Sequence, residues 1–295
     1  MPIGLVLSGG GSLGAIQVGM LRALYERGIA PDLIVATSVG AVNGAFVASR
    51  PPTVATAEVL GDIWRGIHRA EVFPRNLATG LLGFLGRRSY LVPNTGLRRL
   101  LERHIEIERL EDAAIPLHVI AVDLKSGRER RLSGGSVIEA ILASAAIPAV
   151  FPPIRWGGAE LIDGSVANNT PISHAIELGA TEIYVLPTGY ACGLHAVPRG
   201  ALGMALHALT LLIQQRLILE IRAFRDRARL VVLPPPCPLD VTPADFSHAR
   251  ELMERARRDA RAFLAAAPVG ESAVPPVMRD MQTHNTAGGD TEGDT

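Results

Sequence analysis

The sequence predicts an α/β protein in which a mostly parallel sheet is covered by helices on both faces. Short apolar runs alternate with longer segments of helical spacing, which is the pattern of strand–helix–strand units. The first two runs each end in a turn rich in small residues that leads directly into a helix. With 295 residues, 48% of them apolar and 20% charged, the chain is long enough to bury the core of such a domain.

The predicted elements follow one another in the order that this fold requires. A strand over Ile3–Ser8 is followed by a helix over Ala15–Arg27, in which Gln17 is expected on the solvent-facing side. A second strand, Leu33–Thr37, leads into a helix over Val39–Ser49. Further strands are predicted at Leu117–Asp123, Leu161–Ile162, Glu182–Leu186 and Leu230–Leu233, and further helices at Ser136–Ala145, Pro171–Gly179 and Ser247–Ala266.

The chain is predicted to form one domain over residues 1–267, because no repeat and no linker rich in proline, glycine or serine divides it. Residues 268–295 include few large apolar side chains and are predicted to form a disordered acidic tail. Basic and acidic side chains number 29 each, which argues against nucleic acid as a partner, since nucleic-acid-binding domains have a basic excess.

Three features bear on where the protein acts. The N-terminus lacks the basic region and the apolar run of a signal peptide. The spacing of Cys192 and Cys237 matches no metal site or disulfide framework, so both are interpreted as unpaired thiols. Polar residues interrupt the apolar stretch Ala201–Leu219, which is therefore expected to be an amphipathic helix and not a transmembrane segment. We predict a cytoplasmic protein, with peripheral membrane contact left open.

Ser38 is the candidate nucleophile, because it stands between a β-branched strand and an alanine-rich helix. A serine on such a sharp turn exposes its hydroxyl above the sheet, and the N-terminus of the following helix favours developing negative charge. The turn tolerates little bulk two residues to either side, where the chain has Ala36 and Gly40.

The glycine loop after the first strand has two interpretations. Gly9, Gly11 and Gly14 fit G-x-G-x-x-G between a strand and a helix, the fingerprint of Rossmann-type proteins that bind NAD or FAD. That fingerprint also needs an acidic residue at the end of the second strand, where this chain has Ser38. The nearest acid, Asp32, stands before that strand. A dinucleotide-binding protein is therefore the less favoured alternative.

The same loop suits an oxyanion hole. Glycines leave backbone N–H groups unobstructed, and such donors must lie about 2.7–3.1 Å from the developing oxyanion. The first two strands are expected to be neighbours, which brings the loop and Ser38 to one end of the sheet. The predicted donors are the N–H groups of Gly10 and Gly11, with those of Gly9 and Ser12 as further candidates.

Ser38 also needs a base to be nucleophilic at neutral pH. No histidine stands in a glycine-bounded turn after a strand, and His174, on a predicted helix, is the first alternative to check. Asp163 is better placed, because it follows the strand Leu161–Ile162 and precedes Gly164. A carboxylate has a reference pKa near 3.9, so this role requires a water-poor pocket that raises the pKa.

As a set, these motifs resemble the patatin-like phospholipases, and the resemblance extends over about residues 3–186. The stretches that carry it are the glycine loop Gly9–Gly14, the turn Ala36–Gly40, the block Ala143–Pro153, the dipeptide Asp163–Gly164 and the segment Asn169–Pro171. Two residues depart from the family pattern. Ala36 replaces the commoner glycine before the nucleophile, and Ser165 replaces a frequent glycine or alanine; both are small, so the turns are expected to form.

The resemblance implies a three-layer α/β/α sandwich and a dyad of Ser38 and Asp163 in place of a triad. It also implies hydrolysis of the fatty acyl esters of lipids, as by a phospholipase A or lysophospholipase, without a metal or an organic cofactor. The expected partner is then a lipid or acyl ester substrate. A non-catalytic descendant that keeps the fold and binds acyl chains or a protein is the alternative from another class.

Two apolar segments are candidates for lining the acyl pocket or contacting a bilayer. Leu77–Val92 mixes glycine, leucine and phenylalanine without a clean period, and Ala201–Leu219 is the predicted amphipathic helix.

Overall fold

The computed structural model describes residues 1–74, 87–189, 200–239, 241–268 and 270–279. Within this part of the chain it contains eight strands that form a single sheet. The strands are β1 (Ile3–Leu7), β2 (Leu33–Thr37), β3 (Leu117–Asp123), β4 (Glu129–Leu132), β5 (Ile154–Trp156), β6 (Ala159–Asp163), β7 (Glu182–Leu186) and β8 (Arg229–Val232).

The sheet is mostly parallel, as predicted. Strands β3, β2, β1, β7 and β8 lie side by side in that order and run in the same direction. The three remaining strands extend the sheet at the β3 side, where β4 and β6 pair antiparallel with β3 and β5 pairs antiparallel with β6. The carboxyl ends of β1 and β2 are therefore adjacent, which brings the glycine loop and Ser38 to the same edge of the sheet.

Helices cover both faces of this sheet. Alternate residues of the central strands point into two separate apolar clusters: Leu5 and Leu7 of β1 belong to one, and Val6 to the other. The structure is thus the three-layer sandwich that the family resemblance implied. Its helices are α1 (Gly14–Tyr25), α2 (Val39–Ala48), α3 (Val54–Gly66), α4 (Arg69–Val72), α5 (Thr95–His104), α6 (Val137–Ser144), α7 (Ser165–Asn168), α8 (Ile172–Glu177), α9 (Ala201–Phe224), α10 (Ala249–Ala266) and α11 (Pro276–Arg279).

The segment after α10 departs from the predicted tail. Ala273 lies beside β8 and exchanges backbone hydrogen bonds with it, donating to the Leu230 carbonyl and accepting from the Val232 N–H. Val274 and Met278 are buried in the cluster on this face of the sheet. The packed domain therefore extends past residue 267 to at least Met278, because these apolar side chains complete that layer. The rest of the predicted tail, 280–295, lies outside the described residues.

Two other observations concern the sequence predictions on cysteine and membrane segments. Cys237 is disulfide-bonded, so the interpretation as an unpaired thiol was wrong. Among the described residues, no helix combines the length and apolar character needed to span a membrane.

Candidate active site

Ser38 forms a sharp turn between β2 and α2. Its φ angle of 54° is one that residues other than glycine rarely adopt, and it is stabilised from outside the turn. The Ser38 N–H donates to Ser144 Oγ (2.7 Å), and the Ser144 hydroxyl donates to the Ile120 carbonyl of β3 (2.5 Å). Gly40 passes so close to β1 that a methyl group there would lie 2.3 Å from the Leu7 carbonyl oxygen. The expected need for a small residue at this position is thereby explained.

Ser38 and Asp163 meet because of where two strands end against β3. The last residue of β2, Thr37, pairs with Ile120, and the last residue of β6, Asp163, pairs with Ala121. β4 pairs with both of these β3 residues, so it occupies the opposite edge of β3. β2 and β6 therefore approach each other end to end along one edge, and the hydroxyl and the carboxylate lie at their junction.

The chain after Asp163 is held tightly over this junction. A methyl group at Gly164 would lie 2.3 Å from the Ile120 carbonyl oxygen and 2.9 Å from the Thr37 side chain. The Thr37 hydroxyl donates to the Asn168 carbonyl at 3.0 Å, which fixes α7 against the end of β2. Only glycine fits at position 164, which is why the Asp-Gly pair is more than an ordinary turn.

The two side chains form a direct hydrogen bond. Ser38 Oγ donates to Asp163 Oδ2 at 2.8 Å, and Asp163 Oδ1 accepts the Ser165 N–H at 2.8 Å. Both residues of the pair are buried. Burial raises the pKa of Asp163 to about 6, against the hydrogen bonds from Ser165 and Ser38, which lower it. The carboxylate is therefore a stronger base than an exposed aspartate and is ionised at neutral pH.

Within the described residues, no histidine is hydrogen-bonded to Ser38. His174 Nε2 lies 2.7 Å from Glu129 Oε2, and His118 Nδ1 lies 2.7 Å from Ser133 Oγ. The first alternative base, His174, is thus engaged with another carboxylate.

The four candidate oxyanion donors divide into two pairs. The Gly9 N–H faces Asn169, whose Oδ1 lies at 3.1 Å and whose carbonyl oxygen lies at 3.3 Å, and the Ser12 N–H donates to the Pro243 carbonyl at 2.8 Å. The N–H groups of Gly10 and Gly11 have no acceptor among the described residues. The loop lies against Ser38, since a methyl group at Gly9 would be 3.0 Å from Ser38 Cβ.

An apolar cavity of about 60 Å³ opens beside Ser38. Two of its aromatic walls, Phe73 and Phe151, are stacked with their ring centroids 5.3 Å apart. None of the described lining residues comes from 87–92 or from Ala201–Leu219, and 75–86 lies outside the described residues. The described lining residues are Gly11, Ser38, Val39, Val42, Trp64, Ile67, Val72, Phe73, Leu97, Leu100, Ala145, Ile147, Phe151 and Phe246.

The sequence analysis did not predict a series of hydrogen-bonded, buried polar side chains that lies behind the site. Trp64, a cavity residue, donates from Nε1 to Asn43 Oδ1 (2.9 Å), and Asn43 Nδ2 donates to Gln17 Oε1 (2.9 Å). Gln17 Nε2 donates to the carbonyls of Ser8 (2.8 Å) and Leu186 (3.0 Å) at the ends of β1 and β7. Gln17 is fully buried, so the expectation that it faces solvent was wrong.

Comparison with known proteins identifies the stretch that carries these features. Residues 5–176 match the family model described as patatin-like phospholipase. A lysophospholipase of Aspergillus terreus is 29% identical over 194 residues, which are 63% of this chain and 12% of that protein. Patatin-like phospholipase domain-containing protein 7 of Mus musculus is 30% identical over 189 residues, 63% of this chain and 14% of the mouse protein. The matched region is thus a small part of each relative.

Solved structures show a distant likeness to this chain, and VipD is an example. VipD from Legionella pneumophila aligns with 90% of this chain and 67% of its own, at 14% identity and a TM-score of 0.47.

Proposed function

Because this chain belongs to the patatin-like phospholipase family, we propose that it hydrolyses the acyl esters of lipids through an acyl-enzyme on Ser38. The observation that carries the proposal is the 2.8 Å hydrogen bond between Ser38 Oγ and Asp163 Oδ2 in a buried site. A serine is activated when a base lies within hydrogen-bond reach, and the position of the Asp163 carboxylate supports that role for it.

The reaction begins when Ser38 Oγ attacks the ester carbonyl and its proton passes to Asp163. The developing oxyanion accepts hydrogen bonds from the N–H groups of Gly10 and Gly11, the two candidates that have no internal acceptor among the described residues. The proton on Asp163 then passes to the departing alcohol as the ester bond breaks. Water then attacks the acyl-enzyme while Asp163 takes its proton, and Asp163 returns that proton to Ser38 Oγ as the bond to the acyl group breaks and the fatty acid leaves.

The cavity beside Ser38 is proposed to hold the acyl chain of the substrate. Its walls are aliphatic and aromatic, with Trp64, Phe73 and Phe151 among them. Such a surface favours a hydrocarbon chain over a polar headgroup, because transfer of apolar area out of water is favourable. The alcohol part of the lipid would then remain on the open side of Ser38.

Labelling with a fluorophosphonate probe tests the proposal against a binding-only descendant, because the probe reacts covalently only with an activated serine. The wild-type protein is expected to be labelled at Ser38, and Ser38→Ala to be unlabelled. A folded wild-type protein that resists the probe would favour the non-catalytic alternative.

The position of Asp32 weighs against a dinucleotide site. Its carboxylate accepts the Ile3 N–H at 2.7 Å, at the end of β1 opposite the glycine loop.

Peripheral contact with a lipid surface is also proposed, on the basis of α9. Met204, Leu211, Leu212 and Leu219 are exposed. Met204 and Leu211 are seven residues apart, and so are Leu212 and Leu219. Seven residues make about two helical turns, so the four side chains lie on one side of the helix. Replacing Leu212 and Leu219 by glutamate should weaken co-sedimentation with phosphatidylcholine vesicles, whereas Val59→Glu, at an exposed apolar position on α3, should not. Equal binding by all three proteins would contradict membrane contact through α9.

A further inference from the structure

Thr188 holds the backbone of the glycine loop from the end of β7. Its hydroxyl donates to the Gly9 carbonyl at 2.5 Å, and its own N–H donates to Ser8 Oγ at 3.0 Å. The residue is buried and belongs to neither the glycine loop nor the two loops that carry the dyad. Because Asn169 engages the Gly9 N–H, the Gly9 residue is held on both sides, at its N–H and at its carbonyl.

The contact at the Gly9 carbonyl determines where the next N–H points. In a trans peptide, the C=O of one residue and the N–H of the following residue point in opposite directions. The peptide that joins Gly9 to Gly10 is trans. With the Gly9 carbonyl directed at Thr188, the Gly10 N–H is directed away from Thr188.

The following peptide is oriented in the same manner. The Leu13 N–H donates to the Gly10 carbonyl at 3.2 Å, so the Gly11 N–H points away from Leu13. Gly11 lines the cavity beside Ser38. The two peptides therefore differ in what anchors them: the Thr188 side chain, just after β7, holds the first, and the short helical turn of the loop holds the second.

We propose that Thr188 is a positioning residue for the oxyanion hole, in that its hydroxyl fixes the orientation of the Gly10 N–H. The inference rests on the proposed hydrolase function. A peptide between two glycines meets little steric resistance to rotation, so an anchor is needed to keep its N–H in a single direction. A donor that is already oriented stabilises the oxyanion without reorganisation during the reaction.

Thr188→Val tests this role, because valine keeps the shape of threonine and lacks the hydroxyl. We expect kcat on a soluble p-nitrophenyl ester to fall by about 10- to 100-fold, somewhat less than the loss of a whole oxyanion donor. KM should change little, since the ground-state ester makes weaker use of the donor. Thr188→Ser, which restores the hydroxyl, should recover most of the activity. Labelling by a fluorophosphonate should slow in parallel with kcat.

Thr56→Val is the matched control. Thr56 is also buried, and its hydroxyl also donates to a backbone carbonyl, that of Pro51, but it lies on the first turn of α3 and outside the site. The folded Thr56→Val variant should retain wild-type kcat even if it is less stable than the wild type. If Thr188→Val does not fold, Thr188→Ala removes the same hydroxyl and is measured in its place.

The outcomes separate the positioning role from the proposed function. An active wild type with unchanged kcat in Thr188→Val, or a Thr188→Ser variant as slow as Thr188→Val, would overturn the role of the hydroxyl and leave the hydrolase intact. A wild type without esterase activity or probe labelling would instead contradict the hydrolase itself.

Discussion

Burial and hydrogen bonding shift the pKa of the Asp163 carboxyl group in opposite directions. Burial raises its pKa to about 6, and the hydrogen bonds from Ser165 and Ser38 oppose that rise. Because the ionised form is the proposed base, kcat/KM should increase about tenfold per pH unit below pH 6 and level off above it. The acid limb of a pH–rate profile measures this directly.

The lowering of the Asp163 pKa by Ser165 can be tested by substitution, because Ser165 stands where glycine or alanine is frequent in the family. Its hydroxyl favours the carboxylate form, so Ser165→Ala should raise the pKa of Asp163 and move the acid limb to higher pH by about 0.5 to 1 unit. Ser49→Ala, a half-buried serine at the far end of α2, should leave the limb in place. A shift to lower pH in Ser165→Ala would show that the hydroxyl does not stabilise the base.

Single residues differed in how far the sequence could identify them. Ser38 and Asp163 were predicted because each marks the end of a strand next to a glycine or another small residue. Ser144, Asn169 and Thr188 were not predicted as site residues, although Ser144 and Asn169 stand in stretches that carry the family resemblance. The contacts that they make join positions more than 100 residues apart, and no local pattern predicts such contacts.

At the scale of elements, part of the cavity wall comes from helices that the sequence analysis did not predict. α3 supplies Trp64, and α5 supplies Leu97 and Leu100. A start signal for α3 was present, because Thr53 is an N-cap whose hydroxyl oxygen accepts the Thr56 N–H at 3.3 Å. Apolar residues then follow at helical spacing, which would have completed the pattern.

The aromatic wall of this cavity should control acyl chain length. Phe73→Ala removes one ring of the Phe73–Phe151 stack and enlarges the cavity. The ratio of kcat/KM for dodecanoate over butyrate esters should rise about tenfold or more, because one methylene in an apolar pocket changes discrimination by about that factor. Phe263→Ala, a half-buried aromatic on α10 outside the cavity, is the control. An unchanged ratio in Phe73→Ala would remove this wall from the acyl site.

Across the whole molecule, the sequence predicted the architecture better than it predicted the limits of the domain. Alternating strands and helices indicated the mostly parallel sheet with two covered faces. The antiparallel arrangement of β6 was not predictable, since pairing between distant strands leaves no local signal. The contacts of 271–279 were missed for a similar reason: this short segment is stabilised by pairing with β8 and by the apolar cluster that Val274 and Met278 join, and both are distant in sequence.

Two truncations test how far the domain extends. Ending the chain at Pro268 removes the buried Ala273, Val274 and Met278 and should lower the free energy of unfolding by about 3 to 6 kcal/mol. Ending it at Arg279 should change that free energy by less than about 1 kcal/mol, as the predicted disordered tail implies. Urea unfolding followed by circular dichroism measures both. Equal stability of the two truncated proteins would place the domain boundary back at residue 267.

The most direct test of the dyad is the hydrolysis of p-nitrophenyl esters from acetate to palmitate by the wild type, Ser38→Ala and Asp163→Asn. Asparagine is nearly isosteric with aspartate and cannot accept the proton, so both variants are expected to lose activity by at least about 10³-fold while remaining folded. Full activity in Asp163→Asn would contradict the account, because the base would then have to be another group, with His174 the first to replace.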